Sequence, residues 1–376
     1  MATPQYFDIN GGANNYSSIN AWDLAERTDL VSADKYYVVR VYGGTNSVTG
    51  TVTIYSGWTT DATRYIEITA AAGQEHTGVW NTSKAYASVS SGHCFDIPQK
   101  VVKFTKMQLR KSDTGGANVI LYRFGAIGGS IDRCFVWSSS QGYEVIRVDT
   151  PNSDFYIRNC VAINDNATQG LGISTGYNSN TLYVYNCTVI GSCTTGSYAL
   201  ANDHSALLVS QNNYLAINGT GELHSYYNTG GTMTKGTNDA TFNTEAVTPA
   251  LQNIPYSTAT FLSVTSGSQN LRPYIYTAGG NKLLDNGANL SGSGITEDIV
   301  GTARPQFGAF DIGAFENDVP ICWNYTARYK NSNKLFKASG CGSFPRNLRV
   351  PGNVDTGTGK MIDDGIEIDP DNYSVV

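Results

Sequence analysis

One slot recurs along the middle of this 376-residue chain. It is held by Met107 in Phe104-Thr-Lys-Met-Gln-Leu109, by Cys134 in Ile131-Asp-Arg-Cys-Phe-Val136, and by Cys160 in Ile157-Arg-Asn-Cys-Val-Ala-Ile163. Cys187 in Val184-Tyr-Asn-Cys-Thr-Val-Ile190 and Asn213 in Ser210-Gln-Asn-Asn-Tyr-Leu-Ala-Ile217 continue the series. The intervals are 27, 26, 27 and 26 residues, and a period of this length predicts a solenoid in which each unit is one winding. Around each slot apolar and other residues alternate two by two, Ile157, Asn159, Val161 and Ile163 against Tyr156, Arg158, Cys160 and Ala162, the pattern of short strands. Between them lie clusters such as Asn164-Asp-Asn-Ala-Thr-Gln-Gly170, which turn the backbone at low cost.

A winding of two dozen residues cannot bury its own apolar face and must stack on copies of itself. The expected fold is therefore all-β, a parallel β-helix, and five successive slots argue against a β-sandwich merely rich in Asn. Asn159, Asn186 and Asn212 precede three of the slots and suit a left-handed turn, with each amide bonding to the Asn one winding away. Cys and Met in the slot itself are apolar fillers of a narrow core.

The remaining chain divides around these windings. Residues 1–90 are expected to form an N-terminal cap with a short helix, where Ile19, Trp22 and Ala25 or Glu26 fall at helical spacing behind a capping Ser, and the first strands, at Tyr36–Tyr42, Thr51–Tyr55 and Arg64–Thr69. Residues 91–316 are assigned to the β-helix, with the register of 219–274 left open. Residues 317–376 form a small C-terminal module beyond Pro320. Its first half carries Arg328, Lys330, Lys334, Lys337, Arg346 and Arg349 without an acid, and its second half Asp355, Asp363, Asp364, Glu367, Asp369 and Asp371 against Lys360 alone. Threaded with Trp323 and Phe336, this split suits an attachment arm on a complementary surface, or equally a cap whose charges face water.

Composition narrows the functional classes. A net charge of −6 argues against a nucleic-acid partner, which needs a basic face. No run of eighteen apolar residues is present, so no membrane insertion is expected, and the opening residues lack the basic and apolar regions of a signal peptide. The seven cysteines form no close zinc pair and are expected reduced. Cys187 with Cys193, or Cys322 with Cys341, can pair in an oxidising medium. No metal or other cofactor is expected.

Chemistry finds little footing. A glycosidase needs two carboxyl groups about 5–10 Å apart, but the slot of Asp132 is taken by Arg158 and then Tyr185 in the following windings, and Asp149 and Asp154 flank Pro151-Asn152 as turn formers do. Arg133 and Arg158 lack an acid cluster, and Asp203 and His204 are strand neighbours on opposite faces. No catalytic residue is assigned. Tyr143, Tyr156, Tyr183, Tyr185, Tyr198, Tyr214, Tyr226 and Tyr227 can stack sugars or pack on a neighbouring subunit, or serve as ordinary strand residues.

Two stretches resemble a known group. Tyr16-Ser-Ser-Ile-Asn-Ala-Trp22, Ser56-Gly-Trp-Thr-Thr-Asp-Ala-Thr-Arg-Tyr-Ile-Glu-Ile68 and Gly73-Gln-Glu-His-Thr-Gly78 look like the opening of right-handed, single-stranded β-helix proteins encoded in bacteriophage genomes. Leu283-Leu-Asp-Asn-Gly287, Asp298-Ile-Val-Gly-Thr-Ala-Arg304 and Phe310-Asp-Ile-Gly-Ala-Phe-Glu316 resemble the closing segment of many β-helix proteins, in which the last winding ends on such a strand, a likeness that speaks to fold and not to activity. Segments of the tail, Arg328–Phe336 among them, resemble the ends of tailed-phage proteins. The resemblance implies a non-enzymatic virion protein, as capsid decoration or part of a fibre or spike. Its partners would be other virion proteins and sister copies, as in a trimer, with host glycan as a further contact. The alternative it implies is a tailspike depolymerase cleaving host surface polysaccharide.

Overall fold

The computed structural model describes residues 2–317 apart from 12–14, 44–49, 55–56, 99, 124–127, 150–153, 177–180, 195, 205, 221–222, 245–250, 275–280 and 307, and beyond them the strands within 322–328, 335–341, 362–363 and 366–367. Three parallel sheets of ten, seven and seven strands run the length of a β-solenoid. One winding serves for all: Phe155–Arg158 lies in the first sheet, Val161–Asn164 in the second and Leu171–Thr175 in the third, and Thr181–Tyr185 returns to the first. Register is kept residue for residue. Ile131 pairs with Ile157 and Ile157 with Val184, while Val136 pairs with Ala162 and Ala162 with Val189.

The recurring slot sits at the corner between first and second sheets. Lys106, Arg133, Asn159, Asn186 and Asn212 all take left-handed φ, from 51° to 59°, and the next residue in each case, Met107, Cys134, Cys160, Cys187 or Asn213, is fully buried. The three cysteines stand in one file along the axis, the Cys134 N–H reaching the Cys160 Sγ at 3.5 Å. The left-handed corner also shifts the phase of the alternation. Phe155 and Ile157 point inward before it, and Cys160 and Ala162 after it. Val161 and Ile163, expected on the same face as Ile157, lie instead on the outer side of the second sheet.

The period runs one slot further than the sequence reading. Asp239 follows Asn213 by 26 residues and is fully buried, accepting from Ser210 Oγ at 2.5 Å, Asn213 N at 2.7 Å, Gly236 N at 3.1 Å and the Tyr226 hydroxyl. Asn213 is bonded to Cys187 N, Val184 O and Ser210 Oγ. The apolar file thus ends in a polar plug whose donors and acceptors are matched, as burial requires.

At the other end the helix Ile19–Glu26 starts at Ser18, whose Oγ accepts from Ala21 N at 3.0 Å. Ile19 and Trp22 enter the core, whereas Ala25 faces solvent. Trp22 stacks on Trp58 at 5.3 Å, and the Trp58 indole donates to the buried Asp23 at 2.7 Å. The strands Thr3–Ile9, Lys35–Val41 and Ile66–Ala70 already belong to the first sheet. The solenoid therefore reaches into residues 1–90 and ends at Thr241, and the expected division at residue 90 falls within continuous sheet.

From Leu251 to Asn317 the chain no longer winds. Its described residues contain a small hairpin, Phe261–Ser263 with Asn270–Pro273, and then a strap laid over the outer face of the second sheet. Phe135, Trp137, Val161, Ile163, Ile190 and Tyr214 of that face pack against Ile254, Phe261, Leu283, Ile299, Ile312 and Phe315. Residues 310–316, expected as the last strand of the β-helix, instead cross windings. Gly313 N bonds to Asn212 O at 2.8 Å and Ala314 N to Thr188 Oγ1 at 3.0 Å, and Phe315 reaches Gly78. The reason is apolar area. Fully burying one Ile or Phe is worth about 1.5–3 kcal/mol, and a second sheet apolar on both faces has to be covered on both.

Candidate functional site

The period assembles polar side chains on the outer face of the third sheet. Asn118, Glu144, Leu171, Tyr198 and His224 fill one slot in successive windings, and Arg123, Asp149, Gly176 and Asp203 fill another. Asp149 and Asp203 stand two windings apart, a backbone separation of about 10 Å from the spacing of neighbouring strands. Between them there is no side chain. A Cβ on Gly176 would come within 2.0 Å of Asp149 Oδ1 and 2.8 Å of Arg147 Nη2, so this position accepts only glycine if Asp149 is to keep its place.

Arg147 organises the group. Its Nη1 meets Glu144 Oε1 at 2.9 Å and Asp203 Oδ2 at 3.5 Å, and its Nε meets Asp149 Oδ2 at 2.9 Å. Glu144 and Asp203 share one guanidinium nitrogen, so those two oxygens are no more than about 6.4 Å apart, within the spacing used by paired carboxyl groups in glycoside hydrolysis. Glu144 is 4 % exposed and saturated, with Asn118 Nδ2 at 2.9 Å, Ser174 Oγ at 3.0 Å and the Tyr198 hydroxyl at 2.7 Å completing its shell. Asp149 and Asp203 are the more open pair. A groove of about 330 Å³ runs on the Asp149 side of this pair, lined by His93, Asn118, Arg123, Tyr143, Glu144, Arg147 and Asp149 but not by Asp203.

Burial raises both carboxyl groups above the ordinary Asp range, Asp149 against the opposing pull of Arg147 and Asp203 with added repulsion from Glu144. Burial also lowers Arg147, but the charges of Glu144, Asp149 and Asp203 more than reverse it and leave the guanidinium raised. Three acids around one cation leave a residual negative charge in a partly dry groove, an arrangement that marks functional sites more often than bare surface. Among the described residues no group of His, Cys, Asp and Glu is placed to hold a metal ion. No described helix is long and apolar enough to cross a membrane.

The sequence reading placed no acid pair here and took Asp149 for a turn former; the structure brings Glu144, Asp149 and Asp203 together. The signal was present in the period, since Asp149 and Asp203 are separated by twice 27 residues. The vacant slot at Gly176 hid it. Asp132, Arg133 and Arg158 lie elsewhere, at the first corner and under the strap, where Arg133 pairs with Glu297 and Arg158 Nη1 donates to Ser293 O at 3.3 Å.

The tyrosines are used differently from a sugar platform. Tyr156 and Tyr183 stack at 4.8 Å with an interplanar angle of 7°, and Tyr198 and Tyr227 at 5.5 Å and 4°. Their ring faces are spent on one another across windings, while Tyr185 packs with Leu290, Ile295 and Phe310 and Tyr214 lies under the strap. Of the expected attachment residues, Trp323, Arg328, Phe336 and Lys337 fall on an antiparallel ribbon, Cys322–Arg328 with Leu335–Cys341. Lys330, Lys334, Arg346 and Arg349 lie outside the described residues. Among known proteins no family model, no curated sequence and no solved structure matches the chain.

Proposed function

We propose that this chain is a stiff structural rod of a tailed-phage virion, a decoration or fibre component joined to sister copies and other virion proteins, and that its third-sheet groove holds host-surface glycan. The virion assignment rests on the sequence resemblance of residues 16–78 and of the tail. The glycan assignment rests on one observation: with no side chain at Gly176, the Asp149 carboxylate and Arg147 close over that slot, so that one guanidinium holds Glu144, Asp149 and Asp203 together at the edge of the groove. Carboxylates and a guanidinium fixed in a shallow groove match the paired hydroxyls of a sugar ring, which both donate and accept.

The carboxyl spacing favours a second reading, in which the groove cleaves the glycan. Raised acids suit protonation of a leaving oxygen, and a second carboxylate across the bond suits activation of water. One experiment separates the two. The intact chain is incubated with capsule or lipopolysaccharide of candidate hosts, and both retention and new reducing ends are measured, for the native chain and for Asp203→Asn. Retention without new ends supports binding, and release that Asp203→Asn abolishes supports cleavage. Neither retention nor release from any host glycan overturns the assignment of the groove.

A further inference from the structure

The seven cysteines fall into two populations. Cys94, Cys134, Cys160, Cys187 and Cys193 are buried in the solenoid and free, so the Cys187–Cys193 pair allowed by the sequence is not made. Cys322 and Cys341 stand apart, on the terminal ribbon. Seven consecutive residue pairs align its strands, and the outermost pair is Cys322 opposite Cys341. Directly opposed residues of an antiparallel ladder have Cα atoms about 4.5–5.5 Å apart, which falls inside the window of about 4.4–6.8 Å that a disulfide requires.

We propose that Cys322 and Cys341 are a modification site, forming an intrachain disulfide that closes the C-terminal ribbon when the protein meets an oxidising medium. The need is physical. Among the described residues the two strands pair only with each other, and a lone two-stranded ribbon is marginal in water. A bond across its open end closes a loop of about twenty residues and removes entropy from the open state. Reduced, the ribbon that carries Trp323, Arg328, Phe336 and Lys337 opens readily; oxidised, it is held as a formed element for docking. The inference is independent of the glycan groove.

The chemistry balances with a small-molecule disulfide as oxidant. The thiolate of one cysteine attacks oxidised glutathione, forming a mixed disulfide and expelling one glutathione thiolate. The second cysteine thiolate then attacks the protein sulfur of that mixed disulfide, forming the Cys322–Cys341 bond and expelling the other glutathione thiolate. Two cysteine thiols are oxidised, one glutathione disulfide is reduced, and the two cysteine protons end on two glutathione thiols.

The test uses the native full-length chain. It is incubated with oxidised glutathione, denatured in N-ethylmaleimide and weighed intact, then digested with trypsin without reduction. The expected result is five maleimide adducts after oxidation against seven in the reduced control, with the peptides holding Cys322 and Cys341 joined. In Cys322→Ser the joined peptides are expected to vanish, with Cys341 either alkylated or held as the unresolved glutathione mixed disulfide. In the native chain seven adducts after oxidation, a bridge involving a core cysteine or a second chain, or a persistent glutathione adduct would each overturn the proposal.

Discussion

Asn212 is where the winding and the strap are fastened together, and its replacement tests whether the strap is held by specific bonds or only by apolar area. It has φ 58° and no exposed surface. Its Nδ2 donates to Ala288 O at 2.7 Å and to Asn186 Oδ1 at 3.2 Å, and its Oδ1 accepts from Ala288 N at 2.8 Å. Asn212→Gly keeps the left-handed corner free of strain but forfeits all three side-chain bonds. At about 1 kcal/mol net for each of the two bonds to Ala288, and somewhat less for the longer one, the loss is about 2–3 kcal/mol. Asn212→Ala forfeits the same bonds and also puts an ordinary Cβ in the left-handed region, for about 1 kcal/mol more. Asn159 is the control. Its amide reaches only Asp132 Oδ1, at 3.3 Å, and its own Oδ1 has no partner, so Asn159→Gly is expected to cost less than about 1 kcal/mol. Urea midpoints at unchanged m-value give the differences, and hydrogen exchange of the Ala288 and Gly313 amides reports the strap itself. An Asn212→Gly chain as stable as the native one, with the Ala288 amide equally protected, would refute the reasoning.

Three further outcomes are expected. Asp23→Ala leaves the Trp58 indole and Arg27 without their acceptor and is expected to destabilise the N-terminal end by about 2–3 kcal/mol, read by tryptophan fluorescence during unfolding. Gly176→Ala is expected to push the Asp149 carboxylate off Arg147 at a stability cost of about 1 kcal/mol while abolishing glycan retention; undiminished retention would remove this slot from the site. Asp311 is pushed from the 3.8 of the unfolded chain up to about 7 by burial and by the Glu316 charge. The native chain therefore holds a proton the unfolded chain releases, so this group's contribution is complete below about pH 4, declines as pH rises towards 7 and is level above. Urea midpoints across that range are expected to lose this slope in Asp311→Asn, and equal slopes would count against it.

The fold was legible because its cause is local and repeated. Met107, Cys134, Cys160 and Cys187 recur because each winding lies on the last, and a period survives whatever happens elsewhere. The phase shift at the left-handed corner was not legible from alternation alone, because a two-fold count carried across Asn159 assigns Val161 to the wrong side. The consecutive apolar residues Cys134-Phe-Val-Trp137 and Cys160-Val-Ala-Ile163 carried the correction, since a strand apolar on both faces is covered on both. What covers it, the strap from Leu251 to Asn317, depends on contacts a hundred residues and more apart, such as Ala314 N to Thr188 Oγ1. The acid group was half legible. Its period was written in the sequence, but Arg147, which belongs to the neighbouring slot, supplies the contact that joins Glu144, Asp149 and Asp203.

The three faces of the solenoid meet different fates, and this directs where contact with other molecules takes place. The second sheet is sealed by the chain's own return, and the seal is locked by a buried knot in which Arg304 Nη1 meets Glu316 at 3.1 Å and Nη2 donates to Gly313 O at 2.8 Å. Removing one partner of such a buried pair costs about 3–5 kcal/mol, so that face does not open for a ligand without dismantling the strap. The first sheet spends its tyrosine faces on one another and part of its edge on Leu290, Ile295 and Phe310. Its stacked side chains stiffen the rod and offer mainly ring edges and hydroxyls outward. The third sheet keeps three acids around one guanidinium beside a groove, whereas the groove at the N-terminal end of the first sheet carries only the Arg64 pairs with Asp34 and Asp61. A polar ligand that needs both donors and acceptors, held rigidly and without a large apolar contribution, is met on the third sheet by the larger set of fixed carboxyl groups.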